Sequence, residues 1–182
     1  MMSLPNYITL LRIVLIPFFI DLMVYGYFRA ALIVFVVAGL TDALDGMAAR
    51  LMKSRTELGA FLDPMADKLL IVSAFVTLAL LGMLPVWLVI IVVSRDIILA
   101  LGSLILYVNG FDIKVRPSLV GKTATVLQLC VVVFTLLFIV YGVEARFMSV
   151  LCWTTAAATV GSGLQYILRG MKLTGSPSGK SS

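Results

Sequence analysis

The 182-residue chain contains no histidine. That absence removes a His-based triad, a histidine general base and His-ligated zinc together. Cysteine is nearly missing too: Cys130 and Cys152 both sit inside apolar runs. They read as buried small hydrophobes rather than as a disulfide or a metal site. Charge is scarce, with Asp, Glu, Lys and Arg making up 13% against about 25% in soluble domains. A disordered chain is thereby excluded, since disorder needs high charge and little hydrophobicity. The net charge is +5, but the bases are scattered and form no stripe interleaved with aromatics, so no nucleic-acid partner is expected. What fills the chain is apolar, 62% where about 45–50% is usual. With a mean hydropathy of +1.13, too little polar surface remains to coat a 19.7 kDa globule in water. The composition is that of an integral membrane protein.

A helix needs about 20 apolar residues to cross a hydrocarbon layer of about 30 Å. On that scale six spans are expected: 6–27, 29–50, 60–81, 85–108, 118–140 and 144–168. Residues 109–117 read as a loop. One membrane domain over 1–169 is expected, followed by a disordered Gly/Ser/Pro-rich tail at 170–182. The first span lacks a preceding basic cluster and is too long for the apolar part of a cleavable signal, so it is expected to stay as a helix, with Pro17 tolerated inside it. Six spans put both termini on one side. That side collects Arg50, Lys53, Arg55, Lys114, Arg116, Arg169, Lys172 and Lys180, against Arg29 and Arg146 on the other. By the positive-inside rule both termini are cytoplasmic. In the sixth span, residues 154–159 and 161–163 are Thr, Ala, Gly and Ser, a surface for close helix contact within the protomer or across a dimer.

Four aspartates stand out against this background. Asp42 and Asp45 are three apart, Asp63 and Asp67 four apart, so each pair shares one helix face. An unpaired carboxylate at the centre of a membrane costs about 2.5–3.5 kcal/mol. A hairpin through the expected loop at 51–59, which carries Glu57, would bring both pairs to one cytoplasmic depth. Four converging carboxylates repel unless cations neutralise them. Oxygen-only ligands suit a hard ion, Mg²⁺ or Mn²⁺, and four carboxylates suffice for two ions. Two other readings fit the charges: salt bridges with Arg50, Lys53, Arg55 and Lys68, and an ion- or proton-coupled transporter.

The residues around the acids carry a resemblance. Asp42-x2-Asp45-Gly46-x2-Ala49-Arg50-x8-Gly59-x3-Asp63-x3-Asp67 resembles, without a departure, the signature of the CDP-alcohol phosphotransferase (phosphatidyltransferase) family. Pro5-Asn6-x2-Thr9-x2-Arg12 is similar to the family's N-terminal segment, and Ser94-Arg95-Asp96 and Gly121-Lys122 extend the similarity over about residues 4–169. The resemblance implies a six-helix membrane enzyme, usually a homodimer, that uses a CDP-linked donor. It implies that Asp42, Asp45, Asp63 and Asp67 hold two divalent metals, with Asp67 also the general base. Asn6, Thr9, Gly46, Ala49, Arg50 and Gly59 would line the CDP site. Metal ions clamping the diphosphate of CDP-diacylglycerol would neutralise the charge that builds on the leaving CMP.

Arg95, Lys114, Arg116 and Lys122 are the candidates to bind an acidic acceptor. Family members that use glycerol 3-phosphate resemble Gly-Lys-x-Lys-Thr in the fifth helix, where this chain has Ala124 in place of the second lysine. That departure, together with Arg116-Pro117-Ser118 and Gln128, is more similar to the cardiolipin synthases of the family. Their acceptor, phosphatidylglycerol, carries a single phosphodiester charge, which suits a pocket with fewer cations. Phospholipid synthesis in a bacterial inner membrane is the expected setting, with glycerol 3-phosphate as the alternative acceptor.

Overall fold

The computed structural model describes residues 4–52, 57–108, 119–142 and 147–175. These residues form six α-helices and no strand: α1 (Leu4–Val24), α2 (Phe28–Met52), α3 (Glu57–Leu80), α4 (Val86–Val108), α5 (Leu119–Tyr141) and α6 (Met148–Gly175). Each follows one of the long apolar runs, and α1 continues through Pro17. Two differences from the sequence expectation concern ends. Only residues 53–56 separate α2 from α3, so Glu57 opens a helix instead of lying on a loop. α6 continues to Gly175, past the expected end at Leu168 and into the stretch expected to be disordered, because Met171, Lys172 and Leu173 are good helix formers.

Glycine stops two of the helices in the same way. After α1, Gly26 has φ +79°, its N–H donates to the Met23 carbonyl, and the Tyr27 N–H reaches the Leu22 carbonyl at 2.8 Å. After α3, Gly82 has φ +72°, its N–H donates to Ala79, and the Met83 N–H reaches Leu78 at 2.8 Å. Both are Schellman closures, which satisfy the last carbonyls and turn the chain back at a left-handed residue. Short returns of this kind make α1 antiparallel to α2 and α3 antiparallel to α4. α5 and α6 also pack together, and Gly142 after α5 has φ +64°.

α1 packs on both α2 and α3, α4 on α3 and α6, and α5 on α2 and α6. The core is apolar toward the end that holds the three short returns: Phe19, Met23, Phe35, Phe75, Leu78, Leu88, Val132 and Leu136 are buried there. Around that end stand exposed aromatics, Tyr25, Tyr27, Trp87, Tyr141 and Trp153, with Trp87 and Trp153 in contact at 4.9 Å between ring centroids. The outer surface is apolar as well, with Val14, Ile33, Leu40, Ile90, Leu101, Val126 and Leu164 among many exposed side chains. Among the described residues, stretches of α4 (Val86–Ser103) and α5 (Leu119–Tyr141) are long and apolar enough to cross a membrane, and α1, α2 and α3 carry shorter apolar runs. Cys130 and Cys152 are both free thiols within helices.

The small-residue face of α6 is used inside the protomer. Thr155, Ala156, Thr159, Ser162 and Gly163 are buried against α4 and α5. The Arg95 stem lies over Gly163, where a methyl group would sit at an ordinary contact distance of 3.6 Å. Hydroxyls elsewhere bond to their own helix, as Thr135 does to Val131 at 2.7 Å and Thr155 to Leu151 at 2.7 Å. Such back-bonding pairs these two hydroxyl hydrogens within the apolar interior.

Candidate active site

The four aspartates lie on α2 and α3, and the backbone alone sets their levels. Both helices pack on α1 and are separated by four residues, so they run in opposite directions. At about 1.5 Å per residue, Asp45 and Asp63 each stand about 10 Å from the 53–56 end, and Asp42 and Asp67 about 15 Å from it. Two carboxylates therefore come from each helix at two matched levels. Their side chains lie outside the described residues, as do those of Asn6, Thr9, Ala49 and Arg50 and the surroundings of Gly46 and Gly59. Lys114 and Arg116 lie outside the described residues altogether.

Just beyond Asp67 the structure holds a polar network in full detail. Lys68 of α3 forms an ion pair with Oδ1 of Asp96 on α4. Arg95 Nη1 donates to the same oxygen at 2.7 Å, and Arg95 Nη2 donates to the Ser162 hydroxyl of α6 at 2.8 Å. Arg95 is buried and Asp96 nearly so, their side chains 8% and 10% exposed, while Lys68 is 43% exposed. Arg95 Nε is buried with no hydrogen-bond partner among the described residues. A second buried polar pair joins α5 to α6, Gln128 Nε2 donating to Thr159 Oγ1 at 3.2 Å. Buried ions need this kind of pairing, because an unmatched charge in low dielectric is strongly destabilising.

The acceptor candidates separate accordingly. Arg95 is buried and held at two of its nitrogens. Lys122 is exposed near the start of α5, while Ala124, two residues on, is fully buried on another face. The sequence reading named neither Asp96 nor Ser162 as a site residue. A signal was present for the first: an Arg-Asp pair in the middle of an apolar run demands partners on a neighbouring helix. None existed for Ser162, which reads as one more small residue of a packing face.

Apolar-sided helices with a pair of aspartates on each of α2 and α3 define the broad class, an all-helical protein with acidic residues set into apolar helices. The family model for CDP-alcohol phosphatidyltransferase matches residues 2–161, and the chain belongs to that family. It is 34% identical, over 91% of its own length and 94% of the relative's, to the CDP-diacylglycerol–glycerol-3-phosphate 3-phosphatidyltransferase of Bacillus subtilis. It is 33% identical to the CMP-forming cardiolipin synthase of Homo sapiens and 32% to that of Rattus norvegicus, in each case over 93% of this chain. The chain spans 62% of the length of each mammalian relative. Relatives of nearly equal identity thus carry names with two different acceptors.

Proposed function

We propose that the chain transfers a phosphatidyl group from CDP-diacylglycerol to an alcohol acceptor with release of CMP, and that the acceptor is phosphatidylglycerol. The observation that carries this reading is the pair of matched aspartate levels on α2 and α3 within the family match. The donor set fits a hard divalent ion, since it is oxygen-only and the chain has no histidine. Asp42, Asp45, Asp63 and Asp67 would hold two Mg²⁺ or Mn²⁺ ions. When bound, these supply neutralisation of the diphosphate and of the leaving CMP.

The residues of the chain then divide the work. Asn6, Thr9, Gly46, Ala49, Arg50 and Gly59 hold the CDP moiety, glycines and alanine allowing a bulky phosphate-bearing ligand close to the backbone. The acceptor hydroxyl oxygen bonds to the phosphorus that carries the diacylglycerol, the bond from that phosphorus to the CMP oxygen breaks, and Asp67 takes the hydroxyl proton. Arg95, Lys114, Arg116 and Lys122 supply the cations for the acceptor head group. The glycerol 3-phosphate reading has one observation in its favour, the 94% coverage of the Bacillus subtilis relative.

Six membrane spans with both termini cytoplasmic complete the reading, the site opening at the cytoplasmic side of a bacterial inner membrane. The bases collected at the end opposite the short returns support that orientation, and the exposed Tyr and Trp ring suits a membrane–water interface at the other end. A homodimer is expected from the family. Purified protein given CDP-diacylglycerol, Mn²⁺ and a panel of acceptors should release CMP. Metal-dependent solute uptake into liposomes, with no CMP released from any acceptor, would instead establish a transporter.

A further inference from the structure

We propose that Asp96 is a positioning residue for the divalent-metal site, holding the Asp63–Asp67 segment of α3 in place through Lys68, with Arg95 and Ser162 as its anchor on α6. The inference rests on the reading of Asp63 and Asp67 as metal ligands. Its basis is a continuous chain of contacts across three helices: Lys68 to Asp96 to Arg95 to Ser162. One oxygen of Asp96 accepts from both cations. Lys68 is the residue after Asp67, so whatever fixes Lys68 fixes the rotation and height of the last turn that carries the carboxylate pair.

Geometry makes this link more than a fastening between two helices. Apolar packing of α3 on α4 holds the helices together by area and shape, without a directed bond. An ion pair with two hydrogen-bonded members fixes one register. Arg95 cannot follow a displaced Asp96 freely, because its second arm is on Ser162 and its stem lies over Gly163. The anchor is therefore on α6, remote in sequence from both aspartate pairs.

Charge gives the inference a sign. Asp96 brings one negative charge to the cations Lys68 and Arg95. Asp96→Asn removes that charge and loosens both cations, each change opposing a divalent cation at Asp67. Residues that orient metal ligands from behind typically change metal affinity by about 10–100-fold when replaced. Asp96→Asn should thus weaken Mn²⁺ binding by about tenfold or more. Asp96→Glu, which keeps the charge, should recover most of the affinity, and Ser162→Ala should give a smaller loss in the same direction.

The test uses the full-length protein in detergent without substrate and follows the electron paramagnetic resonance signal of free Mn²⁺ during titration, with thermal melts alongside. Weakened binding in Asp96→Asn and Ser162→Ala, with recovery in Asp96→Glu, is the expected result. Wild-type Mn²⁺ affinity in a folded Asp96→Asn overturns the positioning role alone. Should Asp96→Asn not fold, Ser162→Ala decides: unchanged Mn²⁺ affinity in that variant overturns the proposal and weakened affinity sustains it. A wild type that binds no Mn²⁺ removes the metal reading itself, and the positioning role with it.

Discussion

An aspartate inside an apolar helix needs something to replace the water it loses. The chain uses more than one solution. Asp96, its side chain 10% exposed, takes Lys68 and Arg95 on one oxygen. Asp21 is exposed one turn before the end of α1, close to the aromatic ring at that end of the bundle. The four aspartates of α2 and α3 are the oxygen-only set to which the proposal gives divalent ions. Their roles should then differ. Asp63→Asn should abolish CMP release by removing a metal ligand. Asp67→Asn should lower turnover by about 10²–10⁴-fold, the usual contribution of a general base, while retaining more of its CDP-diacylglycerol binding. Single-turnover CMP release beside equilibrium binding of the donor measures both, and near wild-type turnover in Asp67→Asn would remove the base role from that residue.

Helices place these residues, and the devices that end the helices can be tested on their own. Gly82 sits at φ +72°, where an L-residue pays about 1–2 kcal/mol in backbone strain, so Gly82→Ala should lower stability by that order. Gly39, inside α2, has open space where a methyl group would go, and Gly39→Ala should raise stability by about 0.4–1 kcal/mol. Thermal melts of the two variants in one detergent should therefore move in opposite directions. Helix number and order were legible in the sequence because span length is a one-dimensional property, set by how far apolar residues continue. Helix ends were less legible: the overrun of α6 to Gly175 depends on propensity beyond the apolar run, and glycine and serine composition alone suggested disorder there. The aspartate pairs were legible because their spacing is local to one helix each. The network around Arg95 was not, since its partners Lys68 and Ser162 come from elements 27 residues before and 67 residues after it in the chain. Arg95 alone looked like a cation awaiting a ligand, whereas two of its nitrogens are held within the protein.

At the scale of the whole molecule the bundle is built from two unlike halves. The half with the short returns is packed with Phe, Leu and Val and ringed by exposed aromatics, and the polar pairs Arg95–Ser162 and Gln128–Thr159 lie deeper, toward the other end. A membrane enzyme of this shape can receive an acceptor by two routes. A lipid such as phosphatidylglycerol enters sideways with its tails in the bilayer, while glycerol 3-phosphate arrives from water and brings nearly two negative charges. The second needs more cations in the pocket than the first. Arg95 has part of its charge matched by Asp96, and position 124 holds a buried alanine, and the proposal of a singly charged lipid acceptor rests on this shortage of cations. Wild-type protein should accordingly turn over phosphatidylglycerol faster than glycerol 3-phosphate at matched concentrations. Ala124→Lys should lose stability by about 1–3 kcal/mol, because the site is packed and the added side chain is long. Its ammonium would be stabilised in the charged form by a phosphate beside it, so the ratio of glycerol 3-phosphate to phosphatidylglycerol turnover should rise even as total activity falls. The ratio is the useful readout, since a general loss of folded protein lowers both rates together. A wild type that already prefers glycerol 3-phosphate would move the acceptor assignment to phosphatidylglycerophosphate synthesis and leave the CDP-diacylglycerol half of the reaction as it stands.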